Sequence, residues 1–151
     1  MPNRLLKEFL DENKVKYLCI NHTPTYTAQE IAAAAHIPGK QMAKTVIVKI
    51  DGKLAMVVVS AHDHVRFSAL KQITGSNDID LAREADFKSS FPECEIGAMP
   101  PFGNLYNMPV YVSKELSRGN ITFNSGSHAE LVQMSYEDFI RLVKPVFITT
   151  H

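Results

Sequence analysis

An excess of charge of either sign is missing from this chain. Among its 151 residues, Lys and Arg total 16 and Asp and Glu total 16, so the formal net charge is zero with neutral histidines. That balance removes bulk electrostatics as a reason for binding nucleic acid. A local basic patch, or a partner gripped mainly at one end, stays open. Cysteine is scarce too. Cys19 and Cys94 make no disulfide framework, so a reducing, cytoplasmic setting is expected. No apolar run is long enough to cross a membrane. The first turn of sequence carries Glu8, Asp11 and Glu12 inside an amphipathic pattern, which is not the pattern of a secretory signal. Internal repeats, low-complexity tracts and Gly/Ser linkers are lacking. The sequence also has no Gly-x-Ser-x-Gly elbow, no P-loop and no Rossmann glycine fingerprint, which leaves covalent serine catalysis and nucleoside-triphosphate chemistry without support. With 45% apolar residues, one domain over 1–151 with a real core is expected, ending in a short tail after Pro145.

What the chain does have is a loop of unusual composition. Phe91-Pro92-Glu93-Cys94-Glu95-Ile96-Gly97-Ala98-Met99-Pro100-Pro101-Phe102-Gly103 carries two glycines, three prolines and several apolar side chains. It cannot form a regular helix or a central strand. A loop of this length in a compact domain is usually functional or disordered, and its apolar content argues against disorder. It reads as a stiff backbone held close to something small, with Gly97 and Gly103 permitting the approach.

Around it the pattern predicts short, mixed elements. A helix is expected over 3–14, with Leu5, Leu6, Phe9 and Leu10 on one face, and a strand over 17–22. Thr27-Ala28-Gln29-Glu30 has the form of a capping box opening an alanine-rich helix that stops before Pro38-Gly39. Strands over 44–50 and 53–61 flank Asp51-Gly52, a strong hairpin signal. Ser68 is expected to cap a short helix ending near Gly75. Residues 78–82 read as a strand and 83–90 as another short helix. Beyond the loop, strands are expected over 109–113, 120–124 and 130–134, and Ser135 opens a last helix through Val143. Without regular βαβ alternation, these elements predict an α+β domain on a mixed, strongly curved sheet.

Three residues stand out for chemistry. Lys44 shares a strand face with Val46, Val48 and Ile50, so its amine sits at the rim of a buried face, either aimed at a pocket or snorkelling to water. Backbone N–H groups near Gly97 could face a developing oxyanion. His128 follows the small, turn-prone Asn124-Ser125-Gly126-Ser127, which could set an imidazole at a loop mouth for ligand contact or proton transfer; a structural histidine is the plainer reading. His22 reads as a turn histidine and His36 as a helix-end histidine. His62-Asp63-His64 is the best local metal candidate, but no further ligand stands at a recognisable spacing, and neither a metal nor a cofactor is expected. Glu93 and Glu95 would raise the thiol pKa of Cys94 rather than activate it, so Cys94 reads as a packing residue. A glycine loop, a pocket-facing lysine and a histidine after a glycine turn are parts for hydrolysing an activated ester with water.

These residues resemble a known family. Thr27-Ala28-Gln29-Glu30, Lys44 at the head of Lys44-Thr45-Val46-Ile47-Val48, the Gly-x-x-x-Pro loop from Gly97 to Pro101 extended by Phe102-Gly103, and Gly126-Ser127-His128 together look like the YbaK family of aminoacyl-tRNA deacylases. These are free-standing homologues of the editing domain of bacterial prolyl-tRNA synthetase. The resemblance covers nearly the whole chain. It implies a mixed sheet curled into a barrel-like core with helices outside. It also implies cleavage of the ester between a wrong amino acid and the terminal ribose of tRNA, by water and often with the help of the substrate's own ribose hydroxyl. On this resemblance Lys44 matches the active-site lysine and would bind the 3′ end at a phosphate or at the ester region. Gly97 matches the loop that cradles the aminoacyl carbonyl, and His128 matches a histidine found in some members. Ala98, Met99, Pro101 and Gly103 of the loop, Gly126 and Ser127 of the turn, and His22 and Ser60 at strand ends are the expected substrate contacts. The implied partners are the 3′ acceptor end of an aminoacyl-tRNA and an aminoacyl-tRNA synthetase, with no membrane. A non-catalytic module binding a tRNA end, a nucleotide or a synthetase is the alternative, and a metal-dependent hydrolase a third.

Overall fold

The computed structural model describes residues 4–21, 37–116 and 119–149. Helix α1 covers Arg4–Glu12 and buries Leu6 and Leu10, one turn apart on one face, while Leu5 of the expected apolar face stays exposed. Strand β1 (Tyr17–Asn21) follows. The expected capping box at Thr27 and its helix, together with His22 and His36, lie outside the described residues.

The predicted hairpin is present as β2 (Ala43–Ile50) and β3 (Lys53–Ser60), antiparallel and in register from Ala43–Ser60 to Ile50–Lys53. Asp51 and Gly52 take φ +53° and +79°. Two consecutive positive φ values match the right-handed twist of the strands they join. Helix α2 (Phe67–Thr74) ends on Gly75 at φ +74°, whose N–H returns to Lys71 O at 2.8 Å. Its N-cap is Arg66, not Ser68, which lies inside the first turn. Strand β4 (Ile79–Leu81) pairs with β2, and helix α3 (Glu84–Phe87) runs into a 3₁₀ turn at Lys88–Ser90. The loop from Phe91 is irregular up to a second 3₁₀ turn at Gly103–Leu105.

Strands β5 (Val110–Ser113), β6 (Asn120–Asn124) and β7 (Glu130–Ser135) lead to helix α4 (Tyr136–Val143), whose N-cap Ser135 accepts from Asp138 N–H at 3.3 Å. The stretch after Pro145, expected as a tail, contains strand β8 (Val146–Ile148), paired parallel to β5. Three residues carry too little periodicity to reveal a strand whose pairing is set by a distant partner.

The strands form two sheets, ordered β1-β7-β6 and β4-β2-β3-β5-β8. The second is mixed: β3–β5 and β5–β8 are parallel, the rest antiparallel. The α+β expectation holds; the described strands form no closed barrel. The main core holds Ile47, Met56 and Val58 from the hairpin, Ile121, Phe123, Val132 and Met134 from the three-stranded sheet, and Leu6, Leu10 and Phe139 from helices. The other face of the hairpin buries Val48, Val57 and Val59 with Leu70 of α2. Strand alternation therefore sends neighbouring residues of β2 into two different clusters.

Candidate active site

The loop and the turn before His128 are stitched together by main chain. Glu95 N–H donates to Gly126 O at 2.8 Å and Gly126 N–H donates to Ala98 O at 2.8 Å. Gly126 sits at φ +102°, a region that suits a residue without a Cβ. A side chain completes the clasp: His128, buried to 7% exposure, places Nε2 at 2.8 Å from Ile96 O. A carbonyl oxygen can only accept, so Nε2 carries the proton. A trans peptide points its C=O and N–H in opposite directions. With the Ile96 carbonyl turned to His128, the Gly97 N–H faces the other way. Gly97 is exposed at φ +87°, and a Cβ there would lie 3.3 Å from His128 Cε1.

The rest of the loop turns inward. Ala98 is fully buried, Met99 and Phe102 belong to the main core, and Pro101 is buried. Ala98 N–H is already given to Glu95 O at 3.0 Å. Gly103 is a packing glycine: a Cβ would fall 2.6 Å from Met108 O and from Val110 Cγ2. Ser127 Oγ accepts from Ala129 N–H at 3.1 Å, holding the turn in front of the histidine. Of the expected loop contacts, Gly97 alone presents exposed backbone, while Ala98, Met99, Pro101 and Gly103 serve as its rigid base.

Lys44 is the second residue of β2 and points to the α2 side of the sheet, with Val59 opposite it on β3. It lines a recess with Val46, His64, Val65, Phe67 and Leu81. Burial pulls the Lys44 pKa below its ordinary value, and the Asp63 carboxylate works against that pull. Ser60 is buried and gives its hydroxyl to Asp63 Oδ2 at 2.8 Å, so it orients this acid. The recess at Lys44 contains none of the loop residues 91–103 and none of Gly126, Ser127 and His128. The clasp thus holds Gly97, Ala98, Gly126 and His128 together, and Lys44 lines a recess on the α2 side of its sheet.

Sequence reasoning missed the partner of His128, since the Ile96 carbonyl is 32 residues away and any residue type offers one. It also missed the recess walls. Leu81 had a faint signal, as a large aliphatic residue beside turn-prone and charged neighbours. Cys94 packs against the main core with Sγ 3.8 Å from Tyr106 Oη. His62 lies against Gly39, where a Cβ would collide with its ring. Among the described residues, no group of three or more His, Cys, Asp or Glu side chains is arranged to hold a metal ion, and no helix is long and apolar enough to cross a membrane.

Known proteins resemble this chain in sequence and in fold. Residues 22–142 match the family model of the aminoacyl-tRNA editing domain. The prolyl-tRNA editing protein ProX of Acetoanaerobium sticklandii is 28% identical over 142 residues, covering 89% of this chain and 86% of that protein. The proline–tRNA ligase of Bacillus mycoides is 29% identical over 82 residues; the match takes in 54% of this chain and only 14% of the ligase. Among solved structures, hypothetical protein APE2540 superposes with a TM-score of 0.84 at 21% identity, covering 95% of this chain and 97% of that one. A protein provisionally named as a trans-editing enzyme for prolyl-tRNA synthetase superposes with a TM-score of 0.83 at 17% identity, covering 98% and 96%. At those identities the two structures establish a shared fold. With its family model spanning residues 22–142, this chain belongs to the aminoacyl-tRNA editing domain family.

Proposed function

We propose that this protein is an aminoacyl-tRNA deacylase acting in trans. It hydrolyses the ester joining a wrong, small amino acid to the terminal ribose of tRNA. The observation that carries this reading is the clasp, in which His128 Nε2–H and the Ile96 carbonyl turn an exposed Gly97 amide outward. That amide is suited to the substrate carbonyl oxygen, where negative charge develops as water adds. The acyl carbon gains a bond to water oxygen, the ribose oxygen leaves with a proton, and a free carboxylate results. Nε2 of His128 already donates to Ile96, so the imidazole acts as a brace for the loop and not as the base at that nitrogen. Water, assisted by the neighbouring ribose hydroxyl of the substrate, is the nucleophile. Lys44, a partly buried ammonium lining a recess at the head of β2, is suited to a phosphate of the RNA end.

The ProX relative carries prolyl-tRNA editing in its name, and we extend that to this chain. The substrate would then be tRNA for proline carrying a smaller amino acid. A synthetase pocket separates side chains by only ~1–3 kcal/mol per methylene, so errors of this kind need a second site. A synthetase is the natural partner. Residues 1–151 are read as one editing domain. Its two sheets are read as a single curled, barrel-like sheet, because Met42 bridges Thr122 and Thr122 N–H donates to Gln41 O at 2.8 Å.

The test is a panel of tRNAs mischarged with alanine, serine, threonine or cysteine, incubated with the protein. At least one should lose its amino acid at a rate proportional to enzyme. Lys44→Ala should raise KM about tenfold or more, with kcat largely kept, while the circular-dichroism spectrum and melting temperature are unchanged. A panel that stays fully charged overturns the reading in favour of a binding module. Loss of activity on chelation would overturn the metal-free mechanism.

A further inference from the structure

Strand β8 ends one side of the five-stranded sheet, and among the described residues no strand pairs on its outer side. An open edge invites pairing with another chain, and proteins usually guard it with charge. Strand β4, at the opposite edge, carries Asp80, and Lys16 stands just ahead of β1 at an edge of the other sheet. Val146-Phe147-Ile148 carries no charge, and Val146 and Phe147 are 45% and 38% exposed. Ile148 O accepts from Lys114 N–H at 2.8 Å and so faces β5. Alternation then turns the N–H and C=O of Phe147 to the open side. A residue presenting one donor and one acceptor is self-complementary, since a two-fold axis beside it forms two hydrogen bonds with its own copy. The Phe147 side chain lies on the α4 side of the sheet, because its pairing partner Val112 belongs to the main core. With Tyr136 and Ile140 it lines a groove of about 680 Å³ between β8 and α4. Glu137 and Arg141, one turn apart on α4 and both exposed, stand at the rim of that groove. An antiparallel copy of α4 across the same axis sets each Glu137 against the copy's Arg141, so the rim is self-complementary in charge as well.

We propose that the face formed by β8 and α4 binds a second copy of this chain. The two β8 strands pair antiparallel at Phe147, and the two five-stranded sheets join edge to edge. An axis normal to the sheet keeps both α4 helices on one side, where their apolar residues close the groove and their charges alternate. Pro145, which has no N–H, limits the shared ladder to a few bonds, so the apolar groove and the charged rim carry most of the contact. The inference is independent of the deacylase reading. Lys44, Gly97 and His128 are absent from the groove, so each protomer keeps its own site.

The experiment follows mass by sedimentation equilibrium and light scattering over about 1–300 µM protein, without tRNA. The mass should rise from the 16.9 kDa of one chain to twice that value and then level off. Hydrogen exchange of the Phe147 amide should slow as the dimer forms. Phe147→Lys sets two ammonium groups beside the axis and should weaken association by about tenfold or more, with the circular-dichroism spectrum kept. Because Phe147 is partly packed, Glu137→Arg is the independent arm at an exposed position. It sets a second guanidinium against the copy's Arg141 and should also weaken association by about tenfold. Combining Glu137→Arg with Arg141→Glu should restore the dimer, which a general loss of structure would not allow. A mass of one chain at every concentration overturns the dimer. A mass that climbs without levelling overturns it too, since that marks open association in place of a closed pair. A dimer that survives both Phe147→Lys and Glu137→Arg lies on another surface and overturns this one. A single-chain mass together with a one-to-one complex with prolyl-tRNA synthetase, lost in Phe147→Lys, overturns self-association and gives the groove to that partner.

Discussion

Gly97 shows how far a single residue constrains this site. Its φ of +87° lies in the region that costs other residues about 1 kcal/mol or more, and a Cβ would press on the His128 ring at 3.3 Å. Gly97→Ala is therefore expected to lower stability by about 1–2 kcal/mol in urea unfolding and to cut kcat more than tenfold, because the amide it carries is re-aimed. A variant with native kcat would remove that amide from the reaction. His128→Ala deletes the brace on Ile96 and should lower kcat with little change in KM. An unchanged kcat in His128→Ala would remove the brace from the reaction. At this scale the sequence was legible where the residue type is itself the signal, as with glycines and a lysine heading a strand. It was not legible where the partner is a main-chain carbonyl. Nothing in the letter Ile96 marks it as the acceptor for His128.

Elements were readable in proportion to how local their determinants are. The hairpin of β2 and β3 and the Ser135 cap of α4 follow from adjacent residues and stand where the pattern put them. Arg66 replaces Ser68 as the cap of α2 because apolar Val65 and Phe67 are drawn onto the second core cluster, which starts the helix earlier. Strand β8 exists only through its pairing with β5. Helix α3 has a determinant the pattern did not reveal. Asp86 Oδ2 accepts Arg83 N–H at 2.9 Å, capping this single turn, and its other oxygen meets Lys49 Nζ at 3.1 Å, tying the turn to β2. The Arg83 N–H first, then Lys49 and the Arg83 side chain, hold the Asp86 carboxyl at about 2. A folded pKa below the unfolded value of 3.8 means the carboxylate favours folding at neutral pH. That contribution is complete above the unfolded value and fades as pH falls towards about 2. In urea titrations stepped across this window, the wild type should lose stability more steeply than Asp86→Asn, which has no group to titrate there. Parallel slopes for the two proteins would refute the assignment.

Across the whole molecule, loop and core are one structure. Phe102 leaves the loop and packs against Phe9 of α1, Phe123 of β6 and Phe139 of α4, with ring centroids 6.1, 5.5 and 5.4 Å away. Phe102→Ala should cost about 3–5 kcal/mol, the usual range for emptying a fully buried aromatic site. The same change should also depress turnover in the fraction that remains folded, since the base of the Gly97 segment is what has been hollowed out. Stopped-flow deacylation on the folded fraction, compared with the urea midpoint, separates the two losses. This union explains why composition alone could flag the loop and still misjudge its inner half. Met99, Pro101 and Gly103 look like cleft residues in one dimension, and only three-dimensional packing spends them on the interior.

Strand β2 has a two-sided character with a bearing on protein engineering. Lys44 and Val46 face one way and Ala43 and Ile47 the other, and the pairing partner of each is set by the Asp51–Gly52 reversal. Adding one amino acid at that reversal and letting the ladder slide by one position would exchange the two sides. The ammonium would be driven into the main core, and Ile47 would be turned to the α2 side. The aim of the amine is thus decided at a corner of the chain that need never meet RNA, and a bench search for inactivating insertions should find one there.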